Sequence, residues 1–449
     1  MLNNAGTPPI NNDERFRIAV VGAGIAGLGA AWTLARRHDV TVFEAEAYLG
    51  GHSHTVEANF GDASIPVDTG FIVYNEQNYP NLHDLFSALD VPTEPSDMSF
   101  GVSTGGGALE YAGSPAGLFA QRSNMFKPRF WAMLSSLWRF YKDAPGLVAI
   151  GGLDGQTIEQ LLIARGTTSA FREDHLLPMM AAIWSAPVSA IRAFPAEHVM
   201  RFFDDHRLFA IGERPKWRTV TGGSREYVTR LADALHDVRL STPITSISRS
   251  SDSVTVTTCD GNSESFDHVV IGAHGDQALA MLADATPRER EVLGAFKFEA
   301  NRAVLHRDPA LMPLRRNVWS SWNYLDTGDR CRDKVSATYW MNRLQNIDYR
   351  YPLFLSINPI IEPSPELRFD EFNYAHPLYD LATIAAQRSL EDIQGAQRTW
   401  FCGAYCGYGF HEDGLRAGLK VARCLGAVPP WTQGPSRISQ ATNIAAATE

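Results

Sequence analysis

Phe16-Arg17-Ile18-Ala19-Val20-Val21-Gly22-Ala23-Gly24-Ile25-Ala26-Gly27 decides how the chain is read. An apolar run meets a glycine turn. Helix-forming residues follow to Arg37, and a second apolar run, Val40-Thr41-Val42-Phe43, ends on Glu44. The spacing predicts strand, turn, helix and acid-tipped strand, an arrangement that holds a dinucleotide. Gly22 permits the tight turn, Gly24 lets backbone approach a pyrophosphate, and Gly27 lets helix and strand pack closely. The helix start at Ile25 and Ala26 offers unpaired N–H groups and partial positive charge to the phosphates. Glu44, with Ala45 beside it, lies 17 residues past Gly27 and can accept hydrogen bonds from an adenosine ribose. The motif by itself leaves NAD and FAD open.

Composition narrows the class. The chain has 449 residues, 45% hydrophobic and 20% charged, enough for more than one domain. A net charge of -10 argues against nucleic-acid binding, which uses basic surface. Cys259, Cys331, Cys402, Cys406 and Cys424 are few and irregularly spaced, so they read as packing residues in a reducing cytoplasm. No metal site is expected: His52 and His54 have no third ligand nearby. No apolar signal core or transmembrane run stands out.

Outward from the opening unit, Gly50-Gly51-His52-Ser53-His54-Thr55 forms a second glycine turn, and Thr69-Gly70 closes a strand soon after. Residues 115 to 210 lean helical and aromatic. Val220-Thr221-Gly222-Gly223-Ser224 opens a helix, and strands follow near Ile244–Ser248, Val254–Thr258 and His268–Ile271, the last ending at Gly272-Ala273. Residues 286 to 394 mix strands with a helix at 378 to 393. Thr399-Trp400-Phe401-Cys402-Gly403 reads as a strand, and Asp413-Gly414-Leu415 opens a final helix stopped by Gly426. Nucleotide-fold features at the start, middle and end imply two interleaved domains.

These pieces together resemble the FAD-dependent amine-oxidase superfamily of flavoproteins over about residues 16 to 426. More narrowly, Gly51-His52-Ser53-His54-Thr55 and Gly409-Phe410-His411-Glu412-Asp413-Gly414 resemble a bacterial subgroup associated with cyclopropane- or methyl-modified fatty acid synthesis. The resemblance implies an α/β fold: a Rossmann-type FAD-binding domain interleaved with an α+β substrate domain, the amine-oxidase / p-hydroxybenzoate-hydroxylase-like arrangement. Residues 15–75, 215–285 and 395–429 would form the first domain, 76–214 and 286–394 the second, with flexible tails at 1–14 and 430–449. It implies FAD lying extended, with Gly22, Gly24 and Gly27 at the pyrophosphate and Glu44 at the ribose. Gly50, Gly51 and His52 would wrap the phosphate and ribityl side, with Ile244 near the adenine and Thr69-Gly70 past the isoalloxazine. Ala273 and Gly403 would complete the cradle. Asp413, Gly414 and Leu415 would aim a helix N-terminus at the flavin pyrimidine edge, where reduced flavin carries negative charge.

Departures from the family pattern are informative. Arginines often flank the Gly-Gly pair; Tyr48 and His52 stand there. Ala404 replaces an acid after the C-terminal glycine. The amine-oxidase lysine near flavin N5 maps onto Asn301 or Arg302, and one substrate-sandwiching tyrosine onto Phe410. These changes count against simple amine oxidation. His411 and Glu412 are the candidate catalytic pair, able to move a proton or orient substrate, against a plainer role in helix capping. Phe130, Met133, Leu134, Leu137, Trp138 and Tyr141 share one helix face, which either packs inward or docks on anionic lipid.

The function expected is an FAD-dependent oxidoreductase removing a hydride from an apolar substrate, a modified fatty acyl chain of a lipid. A lipid methyltransferase partner and peripheral contact with the inner face of the membrane go with it. The alternatives are a flavin amine oxidase and a flavin-bearing lipid- or partner-binding protein without turnover of its own.

Overall fold

The opening strand, Arg17–Val21, is the third of five parallel strands. Their order is Asp237–Arg239, Asp39–Phe43, Arg17–Val21, His268–Ile271 and Thr399–Phe401. The coordinates are a computed structural model describing residues 14–432 apart from 211, 213–214 and 329–334. Apart from Glu14 and Pro430–Thr432, the expected tails lie outside the described residues, as does Cys331.

The strands read as unbroken apolar runs because both faces are covered. On one face Ile18, Val20, Val42 and Val270 pack against the helices Ile25–Leu34 and His411–Cys424. On the other, Ala19, Val21, Phe43 and Val269 pack against a three-stranded sheet, Ile244–Arg249, Val254–Thr258 and Ser263–Phe266. The two helices touch through small residues. A Cβ on Gly418 would lie 2.2 Å from the Ala26 carbonyl oxygen, and one on Gly29 2.5 Å from Leu415. This close approach brings the start of the first helix and the start of the last to one place.

A seven-stranded sheet forms the second layer. Its order is Arg368–Leu378, Lys297–His306, Phe354–Ile357, Ala337–Trp340, Trp322–Leu325, Phe100–Thr104 and Leu109–Ala112. Neighbours run antiparallel except Trp322–Leu325 beside Phe100–Thr104. Helices between residues 128 and 205 cover it, among them Pro128–Ile150, Leu177–Trp184 and Ala196–Asp205. Of the aromatic stripe on Pro128–Ile150, Phe130, Met133 and Tyr141 are buried in this helical core, whereas Trp138 is exposed. Lateral packing therefore claims most of the stripe. The helix expected at 378–393 spans Leu381–Ser389, because Asp380 caps its start by accepting from the Thr383 N–H.

Candidate functional site

The glycine turn is built as tightly as its sequence requires. Gly22 has φ +96°, and a Cβ there would crowd the Gly272 backbone at 3.0 Å. A Cβ on Gly27 would lie 1.9 Å from the Gly22 carbonyl oxygen. Gly24 differs: a Cβ there meets no atom within 4 Å. Protein packing therefore does not demand glycine at 24, and its open side is a cradle that a side chain would fill. Gly24 caps the helix Ile25–Leu34 with no side-chain cap and no acid in the first turn. The first-turn N–H groups of Ile25, Ala26 and Gly27 are thus left for an anion. The residues present fit a bound dinucleotide.

Other predicted residues converge on this cradle. Gly50 bridges to Gly24 and donates its N–H to the Ala23 carbonyl oxygen, and Gly51 (φ +58°) lies against Gly24. A Cβ on Gly414 would touch Ile25 at 3.1 Å and the Ala404 nitrogen at 3.6 Å, and one on Gly403 would approach the Ala273 oxygen at 3.6 Å. The Glu44 carboxylate accepts the N–H groups of Ala23 at 2.6 Å and Glu46 at 2.9 Å, which fixes it beside the turn. Thr242 donates its N–H to the Glu44 carbonyl oxygen, which brings Ile244 toward Glu44 and the exposed Ala45. Leu415 is fully buried against Gly29, so its side chain packs between the two helices and does not face a ligand.

A cavity of about 210 Å³ opens at the other end, past His52 and Gly70. A Cβ on Gly70 would lie 2.2 Å from the His52 carbonyl oxygen, so these two segments touch. Phe71, Trp184, Phe202, Trp322, Tyr339 and Phe410 supply apolar wall, and His52, Ser185, His206, His376 and His411 polar positions. Phe410 stacks on Phe202 at 4.8 Å. Of the tryptophans and tyrosines in the middle of the chain, Trp184, Trp217, Trp322 and Tyr339 line this cavity. Trp319 and Trp340 pack elsewhere around the Arg316 guanidinium. Among the described lining residues there is no Asp, Glu, Lys or Arg.

His411 and Glu412 part company. The last helix begins at His411, two residues before the start at Asp413-Gly414 that the sequence suggested, with Phe410 as its cap residue. His411 lines the cavity, stacks on Phe71 at 3.9 Å, and hydrogen-bonds through Nε2 to Ser53 Oγ (3.0 Å) and Tyr227 OH (2.6 Å). Burial lowers its pKa to about 3, so it is neutral at pH 7. Glu412 is directed away and leaves the catalytic set. Oε1 accepts from Asn81 N (3.1 Å) and Nδ2 (2.6 Å), and Oε2 from Leu82 N (3.0 Å). It caps the neighbouring helix Pro80–Ala88, which has no side-chain cap from its own Tyr79. Asp413 accepts the Phe410 N–H at 3.0 Å and pairs with Arg416, holding its own helix start.

His376 is the main residue the sequence reading missed. It stands on the strand Arg368–Leu378, and burial lowers its pKa to about 4. Its tautomer follows from a chain of amides. Arg302 N–H donates to Asn358 Oδ1 (3.0 Å), Asn358 Nδ2 to Asn301 Oδ1 (2.7 Å), and Asn301 Nδ2 to His376 Nδ1 (2.9 Å). Nε2 therefore carries the proton. Asn301, one of the two positions matched to the amine-oxidase lysine, thus backs a histidine, while Arg302 pairs outward with Glu362 and Glu371. The signal was present: Phe372, Tyr374 and His376 alternate along one strand. Tyr374 OH reaches Thr69 Oγ1 at 2.6 Å and His54 Nδ1 at 3.1 Å, and Tyr48 stacks on His54 at 4.2 Å. Among the described residues no His, Cys, Asp and Glu cluster could hold a metal, and no helix is long and apolar enough to cross a membrane.

Residues 25–300 match the family described as flavin containing amine oxidoreductase. Solved structures share the fold. A CLA-producing fatty acid isomerase from P. acnes is similar at 17% identity over 92% of this chain and 99% of that one, TM-score 0.66. Wild-type putrescine oxidase bound to putrescine is similar at 14% identity over 92% and 99%, TM-score 0.66. Cyclohexylamine oxidase from Brevibacterium oxydans IH-35A is similar at 18% identity over 92% and 99%, TM-score 0.63. The carotenoid phi-ring synthase of Chlorobaculum tepidum is 32% identical over 152 residues, 30% of this chain; the chain spans only 22% of that relative's length. The chain belongs to the flavin-containing amine oxidoreductase family and is an FAD-dependent oxidoreductase with the two-domain fold of that family.

Proposed function

We propose that this oxidoreductase dehydrogenates an uncharged, apolar substrate, and that the substrate class is a fatty acyl chain of a lipid carrying a methyl or cyclopropane modification. The observation that carries this reading is the cavity wall. It has no charged side chain among the described residues, and burial lowers the pKa of each of its histidines: His411 to about 3, His376 to about 4, His52 well below its ordinary value, and His206 below it as well. A cationic amine entering such a site would be desolvated without a counter-ion. An acyl chain loses little there and gains the burial of its methylenes. The fatty acid isomerase and the carotenoid phi-ring synthase, by their names, work on apolar molecules, which lends weaker support.

In this reading Gly22, Gly24, Ile25, Ala26 and Gly27 hold the pyrophosphate and Glu44 the ribose, with Ala45 and Ile244 toward the adenine. Gly50, Gly51, Ala273 and Gly403 close the cradle. His52, Thr69, Gly70 and the first turns of the last helix, with Asp413, Gly414 and Leu415, flank the flavin. Bound FAD would supply the acceptor for one hydride, that is, two electrons and a proton. The protein contributes orientation and exclusion of water: Phe202, Phe410 and Trp184 confine the chain, and His376 presents its Nε2–H. A lipid methyltransferase acting before this step belongs to the same proposal.

The test is anaerobic mixing of the flavin-loaded protein with lipids bearing modified acyl chains and, separately, with putrescine and an aromatic amine. Loss of the visible flavin absorbance with the lipids alone supports the proposal. Rapid bleaching by the amines alone overturns it. Reduction that occurs only once the methyltransferase is present would assign the chain a dependent, lipid-binding role.

A further inference from the structure

We infer that the surface around the start of the helix Pro128–Ile150 docks on an anionic lipid bilayer. In a chain of net charge -10, residues 111–142 carry five cations, Arg122, Lys127, Arg129, Arg139 and Lys142, and no acid. The same stretch holds large apolar side chains in solvent. Phe126 is 84% exposed, Trp138 56%, Trp131 48% and Met125 41%. A globular surface seldom groups such residues without a partner.

Geometry joins them into one patch. The Trp131 indole N–H donates to the Met125 carbonyl oxygen at 2.9 Å, tying the 3-10 turn Arg122–Phe126 to the helix start. Phe119 meets Trp131 at 6.2 Å. Trp138 lies two turns beyond Trp131 on the same face, with the Lys142 ammonium 5.4 Å from its ring. Of the cations, Arg129 is paired with Asp174, and Lys127 donates to the Ala108 carbonyl oxygen. Among the described residues Arg122, Arg139 and Lys142 form no ion pair; Asp143 is the first acid beyond them.

Charge selects the occupant. A second copy meeting this patch face to face would bring like charges together, which is unfavourable. An anionic bilayer offers the opposite sign, and tryptophan and phenylalanine beside lysine and arginine suit the headgroup boundary. The inner side of this helix places Phe140 and Tyr141 in the core cluster that holds Trp184 and Phe202 of the cavity wall. The inference does not depend on which substrate is oxidised.

The experiment is co-sedimentation of the flavin-loaded full chain with phosphatidylglycerol–phosphatidylcholine vesicles and with pure phosphatidylcholine vesicles. The expected result is binding to the first, weakened by salt and nearly absent with the second. Arg139→Glu with Lys142→Glu, and separately Phe126→Ser with Trp131→Ser, should each lower the partition coefficient at least about tenfold. Retained flavin and an unchanged melting temperature would show that the variants fold. No preference for anionic vesicles, or undiminished binding of either variant pair, overturns the inference. So does a concentration-dependent dimer that the same substitutions abolish, which would give the surface to a second copy.

Discussion

Replacing Glu412 separates a structural carboxylate from a catalytic one. Its side chain accepts three hydrogen bonds at the start of the helix Pro80–Ala88, two from Asn81 and one from Leu82, and is 4% exposed. The Asn81 and Leu82 N–H groups have no carbonyl partner within their own helix, so Glu412→Ala leaves them unpaired in a site with little access to water. Each buried unpaired donor costs about 1–3 kcal/mol, and loss of a helix cap alone costs about 1 kcal/mol. We expect a total of about 3 kcal/mol, since the terms overlap and the site relaxes. With an unfolding entropy of about 2 cal/mol/K per residue, that lowers the melting temperature of this chain by roughly 3 °C. Glu412→Gln keeps an acceptor for Asn81 but turns an amide toward a donor, and should lose about half as much. The assays are thermal melting of the flavin-loaded proteins and stopped-flow flavin reduction with whichever substrate reduces the parent. A general acid or base contributes typically 10²–10⁴-fold, so a cap predicts a rate within a few-fold of the parent. A melting temperature unchanged in Glu412→Ala, or a rate loss of a hundredfold in a variant that keeps its flavin, would refute the assignment.

Other outcomes follow from the same geometry. Gly24→Ala should fold, since the new methyl meets no protein atom within 4 Å, yet release flavin on dialysis; Gly27→Ala should yield little folded protein, its Cβ falling 1.9 Å from the Gly22 oxygen. Stability should fall on acidification, because His376 (about 4) and His411 (about 3) lie below the ordinary 6.5 when folded and protonation favours the unfolded chain. The contribution is complete above about pH 6.5 and is lost toward pH 4. At about pH 5.5 each histidine gives up about 1.4 kcal/mol, so the stability lost between about pH 7.5 and 5.5, read from urea titrations, should be smaller in His411→Gln than in the parent by about that amount.

Residues 16–44 and the glycines after them were legible because their constraints are local. A turn with φ +96° at Gly22, and a helix packed against its own preceding strand at Gly27, are demands that neighbouring residues make on each other, so they leave a pattern in consecutive letters. The apolar runs of the parallel strands were legible for a similar reason, being buried on both faces. The cavity was not legible. His52, Phe71, Trp184, Trp322, His376 and Phe410 come from segments far apart in the chain, and no spacing rule links them. Asn301 shows the limit most plainly: its type and place suggested only a missing lysine, while its amide settles the tautomer of a histidine 75 positions away. Glu412 shows the converse, for an acid beside a histidine in sequence is carried by the helix turn to a different neighbour. The sequence alone thus determined the dinucleotide turn, the interleaving of its strands and the family resemblance, through short-range sterics. Only the tertiary structure decided which side chains share the uncharged cavity, because burial and hydrogen-bond partners are properties of long-range packing.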